Sequence, residues 1–318
     1  MEILDLRHFV SGDLRPLLDQ EAQVWSRLLS WDYSSSAEMI LRYVDAKILP
    51  GYAAVERKRV CGYSFFVYEG SKGVIGDLYV AGRNGGNGGG HDLEHELLTH
   101  VIETLQQSPG IHRVEAQLLV HDTGVVAAPF VAQGFRRHPR LFMVLPLRGE
   151  GAQRRPPPPL PAGIEMRRWA ESDFQSAAAV ITAAYHWHID SQINDQYCSI
   201  GGSLRFLNNI VRFPGCGIFD PEASFAAVHQ ASRALVGLIL CSRVKSDVGH
   251  VTQVCLVPDY RSHGIGEALI AATQLALRKR NFAALSLTVT EANSRAVELY
   301  QRIGFSVKRV LDAFVWEG

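Results

Sequence analysis

Val251-Thr252-Gln253-Val254-Cys255-Leu256-Val257-Pro258-Asp259-Tyr260-Arg261-Ser262-His263-Gly264-Ile265-Gly266-Glu267 is the stretch whose reading decides the fold. Its apolar start, from Val251 to Val257, is a β-branched run of strand length. Pro258 ends the run because proline cannot donate to a ladder, and Asp259-Tyr260 suits a turn. A helix is predicted over Glu267 to Arg280, where Leu269, Ile270, Thr273, Ala276 and Leu277 share one face. A glycine turn feeding a helix leaves several backbone N–H groups without an intrahelical partner. With the positive end of the helix dipole they form a site for phosphate oxygens, and Arg261 adds a fixed positive charge. The spacing fits neither a Walker sequence, since no Gly-Lys-Ser/Thr follows, nor a Rossmann fingerprint.

Beyond the helix the chain passes a second predicted strand and reaches Asn293-Ser294-Arg295-Ala296-Val297-Glu298-Leu299-Tyr300-Gln301-Arg302-Ile303-Gly304-Phe305. Strand, V-x-P-x-Y-R-x-x-G-I-G, helix, strand and this segment together resemble the GCN5-related N-acetyltransferases (GNAT) from Gly163 to Trp316. The resemblance implies acetyl-CoA as co-substrate and acetyl transfer to a primary amine of a small molecule or peptide. It implies that the amides of Ser262, His263, Gly264, Ile265, Gly266 and Glu267 hold the pyrophosphate with Arg261 alongside. It also implies that the main chain of Val254, Leu256 and Val257 faces the pantetheine and acetyl carbonyl, on a strand splayed from its neighbour.

Tyr300 holds the position that the resemblance assigns to the acid protonating the departing thiolate. Read from the residues alone, it is equally a helix aromatic packed among Leu299, Ile303 and Phe305. Asn293 suits a helix N-cap, and the resemblance adds a cofactor contact. His250 is the candidate base, four residues before Val254 and by the period of two on the same strand face. Asp247, Glu291 or an ordered water are the alternatives. His186, His188 and Asp190 fall where the family's helix and loop line the acceptor. The rival reading is a non-catalytic acyl-CoA-binding or interaction module that kept the fold.

Composition narrows the class. The 318 residues carry 32 Lys plus Arg against 32 Asp plus Glu, so no net field recruits nucleic acid or an anionic membrane. Hydrophobic content of 47% is ordinary for a globular chain. The five cysteines are scattered, without C-x-x-C pairs, and read as reduced thiols in a cytoplasmic protein without a metal site. No apolar segment reaches membrane-helix length, and the acidic start Met1-Glu2-Ile3-Leu4-Asp5 is not a signal peptide. Oligomeric state is not legible.

Arg154-Arg155-Pro156-Pro157-Pro158-Pro159 favours a stiff polyproline spacer, which divides the chain into residues 1–150, a 151–162 linker and residues 163–318. The halves repeat. Leu6-Arg7-His8-Phe9 with Asp13 matches Met166-Arg167-Arg168-Trp169 with Asp173, and Val60-Cys61-Gly62-Tyr63 matches Leu235-Val236-Gly237-Leu238. Leu78-Tyr79-Val80 stands where Cys255-Leu256-Val257 stands, and Phe130 to Phe135 parallels Tyr300 to Phe305. The expectation is an α+β fold in two tandem copies, each a mixed, mostly antiparallel sheet flanked by helices. Helices are predicted over 13–29, 37–46, 173–188 and 204–213, and a hairpin over 51–67. The first copy reads as catalytically silent: Phe130 replaces the tyrosine, and Arg83-Asn84-Gly85-Gly86-Asn87-Gly88 is too glycine-rich for a preformed phosphate nest. His91 and His95 have metal-ligand spacing but lack a third ligand in sequence, which favours a solvated face.

Overall fold

A computed structural model of the chain describes residues 1–82, 89–149, 158–212 and 217–318. The Arg83–Gly88 loop, Cys216 and most of the proline-rich linker lie outside the described residues. The chain packs as two units, Met1–Arg140 with Val310–Gly318, and Leu141–Arg309.

The first unit runs β1 (Glu2–Asp5), α1 (Ser11–Leu29), α2 (Ser34–Asp45), β2 (Gly51–Glu56), β3 (Arg59–Glu69), β4 (Lys72–Val80), α3 (Gly89–Gln107), β5 (Arg113–Gln117), α4 (Ala127–Ala132) and the start of β6 (Arg136–Pro146). The second holds the rest of β6, then β7 (Ile164–Arg168), α5 (Phe174–Tyr185), α6 (Ile189–Ile193), α7 (Ile200–Arg212), β8 (Ile218–Phe219), β9 (Phe225–His229), β10 (Leu235–Lys245), β11 (Val248–Leu256), α8 (Ile265–Lys279), β12 (Ala284–Thr290) and α9 (Ser294–Ile303). A last strand, β13 (Ser306–Glu317), begins in the second unit and ends in the first.

Strand order is the same in both units. The first reads β1-β2-β3-β4-β5-β13 and the second β7-β9-β10-β11-β12-β6, with β8 paired to β10. Strands β1–β2, β2–β3, β3–β4, β5–β13, β7–β9, β9–β10 and β10–β11 pair antiparallel, whereas β4–β5 and β11–β12 pair parallel. The closing strand of each sheet comes from the other half of the sequence, since Ala313 to Glu317 pair with Gln117 to Arg113. The packing units therefore differ from the sequence repeat at both closing strands.

Helix α3 buries Leu97, Leu98, Val101, Ile102 and Leu105 on the first sheet, with Phe130 and Phe314 in the same core. Helices α5 and α7 bury Ala177, Ala178, Ile181, Leu207 and Ile210 against Leu238, Leu240 and Cys255 of the second. Each unit opens in the same way. The Asp13 carboxylate accepts from the amide of Val10 at 3.0 Å, and Asp173 from the amide of Ala170 at 2.9 Å. Such local carboxylate–amide bonds fix a strand-to-helix entry.

The strongest correspondence is an irregularity. On β11, Gln253 pairs with Leu240 and Val251 with Cys241, which leaves Thr252 as an extra residue. On β4, Asp77 pairs with Phe65 and Ile75 with Phe66, leaving Gly76. Both are β-bulges, which re-aim the side chains on either side. They correct the repeat register by one residue: Ala81 donates to Cys61 O as Val257 donates to Val236 O, so Val80 matches Leu256 and Asp77 matches Gln253.

Candidate active site of the second unit

Parallel pairing of β11 with β12 runs from Val248↔Ala284 to Val251↔Leu287 and stops at the bulge. Both strands continue, β11 to Leu256 and β12 to Thr290, without pairing, so they open into a wedge. The amide of Val257 donates to Val236 O at 3.0 Å, on the β10 side. By strand alternation the amides of Val254 and Leu256 point the other way, into the wedge. Two backbone donors thus face the gap, while the expected third, Val257, is already used.

The turn beyond β11 carries left-handed backbone at Ser262 (φ 67°) and Gly264 (φ 80°). Gly264 is the N-cap of α8, which begins at Ile265, ahead of the predicted Glu267. Two left-handed residues followed by a helix start aim successive amides at one point, an anion-binding nest. Ile265 is buried and anchors the turn, while Ser262, His263 and Gly264 are exposed. Arg261 turns inward: Nε donates to Leu256 O at 3.3 Å and Nη2 donates to Ala184 O. It ties the end of α5 to β11, and its charge reaches the wedge from behind. The outward cations come from α9. Arg295 Nη2 donates to Ser262 Oγ, and Arg302 reaches Glu267 at 3.2 Å. Arg295 stands within the quoted sequence segment, but nothing in the pattern says that it points at the turn.

Asn293 caps α9, its Oδ1 accepting from the amide of Ala296 at 3.4 Å. Its Nδ2 faces His188 Nε2 at 3.4 Å. Tyr300 is 8% exposed on α9, its ring 5.8 Å from Phe305. Burial, reinforced by the Asp190 carboxylate and Cys255, raises its pKa and keeps the phenol protonated.

His250 stands apart from the wedge. The bulge at Thr252 breaks the period of two, so His250 shares the face of Gln253 and Cys255, not that of Val254 as expected. It is 7% exposed, its Nδ1 2.9 Å from Ser286 Oγ and its ring 6.2 Å from that of Phe142. Burial pushes its pKa down to about 3. An imidazole this hard to protonate inside the protein has no driving force to collect a proton. Of the alternatives, Asp247 pairs with Arg148 at 3.2 Å and Glu291 is exposed.

The bulge instead presents Gln253, which the sequence reading passed over. Its Oε1 accepts from Tyr185 OH at 3.3 Å, while its buried Nε2 has no partner among the described residues. Beside it Cys255 is buried, its thiol pushed up to about 12 by desolvation, and so remains protonated. A cleft of about 530 Å³ opens against α5 and α6, lined by Thr182, Tyr185, His188, Ser191, Tyr197 and Cys198. His186 and Trp187 also border it, and Trp187 is 93% exposed with φ 60°. That left-handed residue ends α5 before the predicted 188.

The first unit has the same wedge, since β4 pairs with β5 only from Lys72 to Ile75. Its chemistry differs. Phe130 is fully buried and stacks on Phe314 at 4.0 Å. At the Gln253 position, Asp77 accepts from Tyr33 and lies 3.3 Å from the hydroxyl of Tyr63, which donates to Glu21 at 2.6 Å. Burial and the neighbouring Asp77 charge raise the Glu21 pKa well above the usual carboxylate range. The Asn293 counterpart, Thr123, donates to Asp312 at 2.8 Å. His95 Nε2 lies 3.2 Å from Val125 O, a structural contact and not a solvated face. Among the described residues no cluster of His, Cys, Asp and Glu has metal-site geometry, and no helix is long and apolar enough to cross a membrane.

Residues 183–305 match the acetyltransferase (GNAT) family. A mycothiol acetyltransferase of Actinosynnema mirum is 29% identical over 150 residues, 47% of this chain and 46% of that one. One from Saccharomonospora viridis is 26% identical over 240 residues, covering 73% of this chain and 70% of the relative. The chain thus spans about half the length of the first of these relatives and more of the second. An N-alpha-acetyltransferase of Sulfurisphaera tokodaii is 35% identical over 71 residues, 22% of this chain and 42% of that protein. Among solved structures, a GCN5-related N-acetyltransferase from Sphaerobacter thermophilus superposes with a TM-score of 0.63 at 19% identity, covering 92% of this chain and 91% of that one. A tandem GNAT protein from the clavulanic acid biosynthesis pathway gives 0.59 at 16% identity, covering 99% and 98%. At those identities the likeness is one of fold.

Proposed function

We propose, from the match of residues 183–305 to the acetyltransferase (GNAT) family, that the Leu141–Arg309 unit is an acetyl-CoA-dependent N-acetyltransferase acting on a primary amine. The observation that carries this reading is the wedge at the Thr252 bulge. It leaves the amides of Val254 and Leu256 unpaired beside a phosphate-binding turn and a buried, protonated tyrosine. The residues fit acetyl-CoA: the nest at Ser262–Glu267 with Arg295 suits the pyrophosphate, and the wedge suits an extended pantetheine.

In the reaction the amine nitrogen attacks the thioester carbonyl and the carbon–sulfur bond breaks. An amide N–H in the wedge stabilises negative charge on the carbonyl oxygen, a backbone donor aimed where charge develops. Tyr300 gives its proton to the departing thiolate. Relatives named as mycothiol acetyltransferases support a small-molecule acceptor over a peptide. The domain assignment keeps residues 1–150 as a silent copy, 151–162 as linker and 163–318 as the catalytic copy. Phe130 in place of tyrosine, and the sealed Glu21–Asp77 cluster, support the silent copy. Scattered free thiols and balanced charge support a cytoplasmic setting without nucleic-acid or membrane partners.

Calorimetric titration with acetyl-CoA tests the reading, repeated on Gly266→Glu. A Cβ at Gly266 meets only Leu256 Cδ1 at an ordinary 3.6 Å, so the variant folds and brings a carboxylate to the phosphates. One site, weakened at least about tenfold (about 1.4 kcal/mol) in the variant, is the expected outcome. A second, surviving site would place cofactor in the first unit as well. No binding by the native chain would leave the non-catalytic module.

A further inference from the structure

Asp190 sits in the first turn of α6 and is mostly buried, its side chain 15% exposed. Oδ1 accepts from Thr290 Oγ1 at the free end of β12, beyond the last β11–β12 pair. On the other side lies His188, the N-cap of α6. The backbone N–H of Asp190 donates to His188 Nδ1 at 3.2 Å, so that nitrogen is the unprotonated one. Burial, reinforced by Arg261, lowers the His188 pKa against the pull of Asp190 and keeps the ring neutral. Oδ2 of Asp190, 3.5 Å from the same nitrogen, therefore meets a lone pair and receives no hydrogen bond from it.

A carboxylate so far removed from water ordinarily pairs with a cation. Among the described residues no Lys or Arg forms an ion pair with Asp190, whose recorded contact of that kind is the one with neutral His188. Arg261, whose charge reaches His188, donates Nε to Leu256 O and Nη2 to Ala184 O. The Asp190 charge falls instead on the phenols of Tyr185 and Tyr300, both held protonated chiefly by burial. Tyr185 stacks on Tyr197 at 4.3 Å, and both line the cleft with His188 and Ser191, the neighbours of Asp190. No Lys or Arg is among the residues that line it. Aromatic faces favour a positive charge, and such walls offer no cation to a negative one. The site lacks one cation, where the cleft meets the wedge.

Building on the acetyltransferase reading, we propose that Asp190 seats the acceptor as its ammonium ion, and that the site selects amines with no carboxylate beside the nitrogen. Attraction between opposite charges is strong in this poorly solvated corner and draws the ammonium to Oδ2. An α-carboxylate would be carried against Asp190 and repelled, and juxtaposed like charges are a strong device of specificity. Amino alcohols and arylethylamines fit the seat; free α-amino acids do not.

The test uses two pairs of acceptors, ethanolamine with serine and tyramine with tyrosine, each pair differing by one carboxylate beside the amine. Thiol release from acetyl-CoA gives kcat and KM for the native protein and for Asp190→Asn, and calorimetry gives the acetyl-CoA affinity of both. The native protein is expected to prefer the carboxylate-free member of each pair by about 10²-fold or more in kcat/KM. Asp190→Asn is expected to raise KM for ethanolamine and tyramine by about tenfold or more and to bring both preferences within about tenfold, with acetyl-CoA affinity unchanged. A merely structural role would not move the preference between members of a pair. The native preference is decisive on its own if Asp190→Asn does not fold. Serine or tyrosine used as well as its partner by the native protein, or a preference unmoved in Asp190→Asn, overturns the proposal and leaves the acetyltransferase reading standing. So does a native protein that binds acetyl-CoA yet releases no thiol with these amines. Failure of the native protein to bind acetyl-CoA overturns that reading and this proposal with it.

Discussion

Tyr300 and Phe130 stand at the same step of the repeat and have opposite surroundings. Phe130 is one layer of an aromatic stack with Phe314 and Phe135, and a hydroxyl there would be buried without a partner. Burial and the nearby Asp190 carboxylate hold the Tyr300 phenol protonated, so a proton is in place when negative charge develops on sulfur. Tyr300→Phe is expected to lower kcat by about 10²-fold, the lower range for general acid catalysis, with acetyl-CoA affinity within about twofold of native. Thiol-release kinetics beside calorimetry check it, and an unchanged kcat removes Tyr300 from the mechanism.

The turn from β11 to α8 works through backbone geometry. Gly264 has φ 80° and nothing within 4 Å of a Cβ placed there, so Gly264→Ala meets no clash and only backbone strain. That strain is about 1 kcal/mol for a left-handed non-glycine residue. The variant is expected to keep its fold while acetyl-CoA affinity falls by up to about tenfold, because the amides no longer converge. Equal affinity in a calorimetric comparison would show that the amides do not hold the phosphates. This element was legible in sequence because its signals are local: proline ends a strand, glycine permits the turn, and apolar spacing marks α8. The bulge upstream of the turn was not, since one extra residue at Thr252 leaves no compositional trace. A strict period of two therefore put His250 on the wedge face and missed Gln253. Arg295 and the His188–Asp190 contact were likewise hidden, because both depend on which distant elements meet.

At the scale of the whole molecule, the repeat was readable from paired motifs, yet the exchange of closing strands was not. Either strand satisfies the same alternating pattern, and pairing partners are a matter of topology. Phe314 is 1% exposed in the core of the first unit, stacked on Phe130, and Asp312 accepts from Thr123 and from the amide of Gly124 at 2.7 Å. Phe314→Ala is expected to cost about 3–5 kcal/mol, read as an earlier denaturation transition of the first unit. Acetyl-CoA binding by the second unit is expected to persist. Loss of binding together with stability would mean that the two units do not fold separately.

The placement of Val310–Gly318 also sets an order in time. Chains fold by domain as they leave the ribosome, N-terminal parts first. Here the unit that is begun first lacks its closing strand until residues 310–318 emerge, whereas Leu141–Arg309 has all its strands by then. During synthesis β5 waits as an unprotected edge for nearly the whole length of the second unit. The segment that shelters it is made only after the second unit.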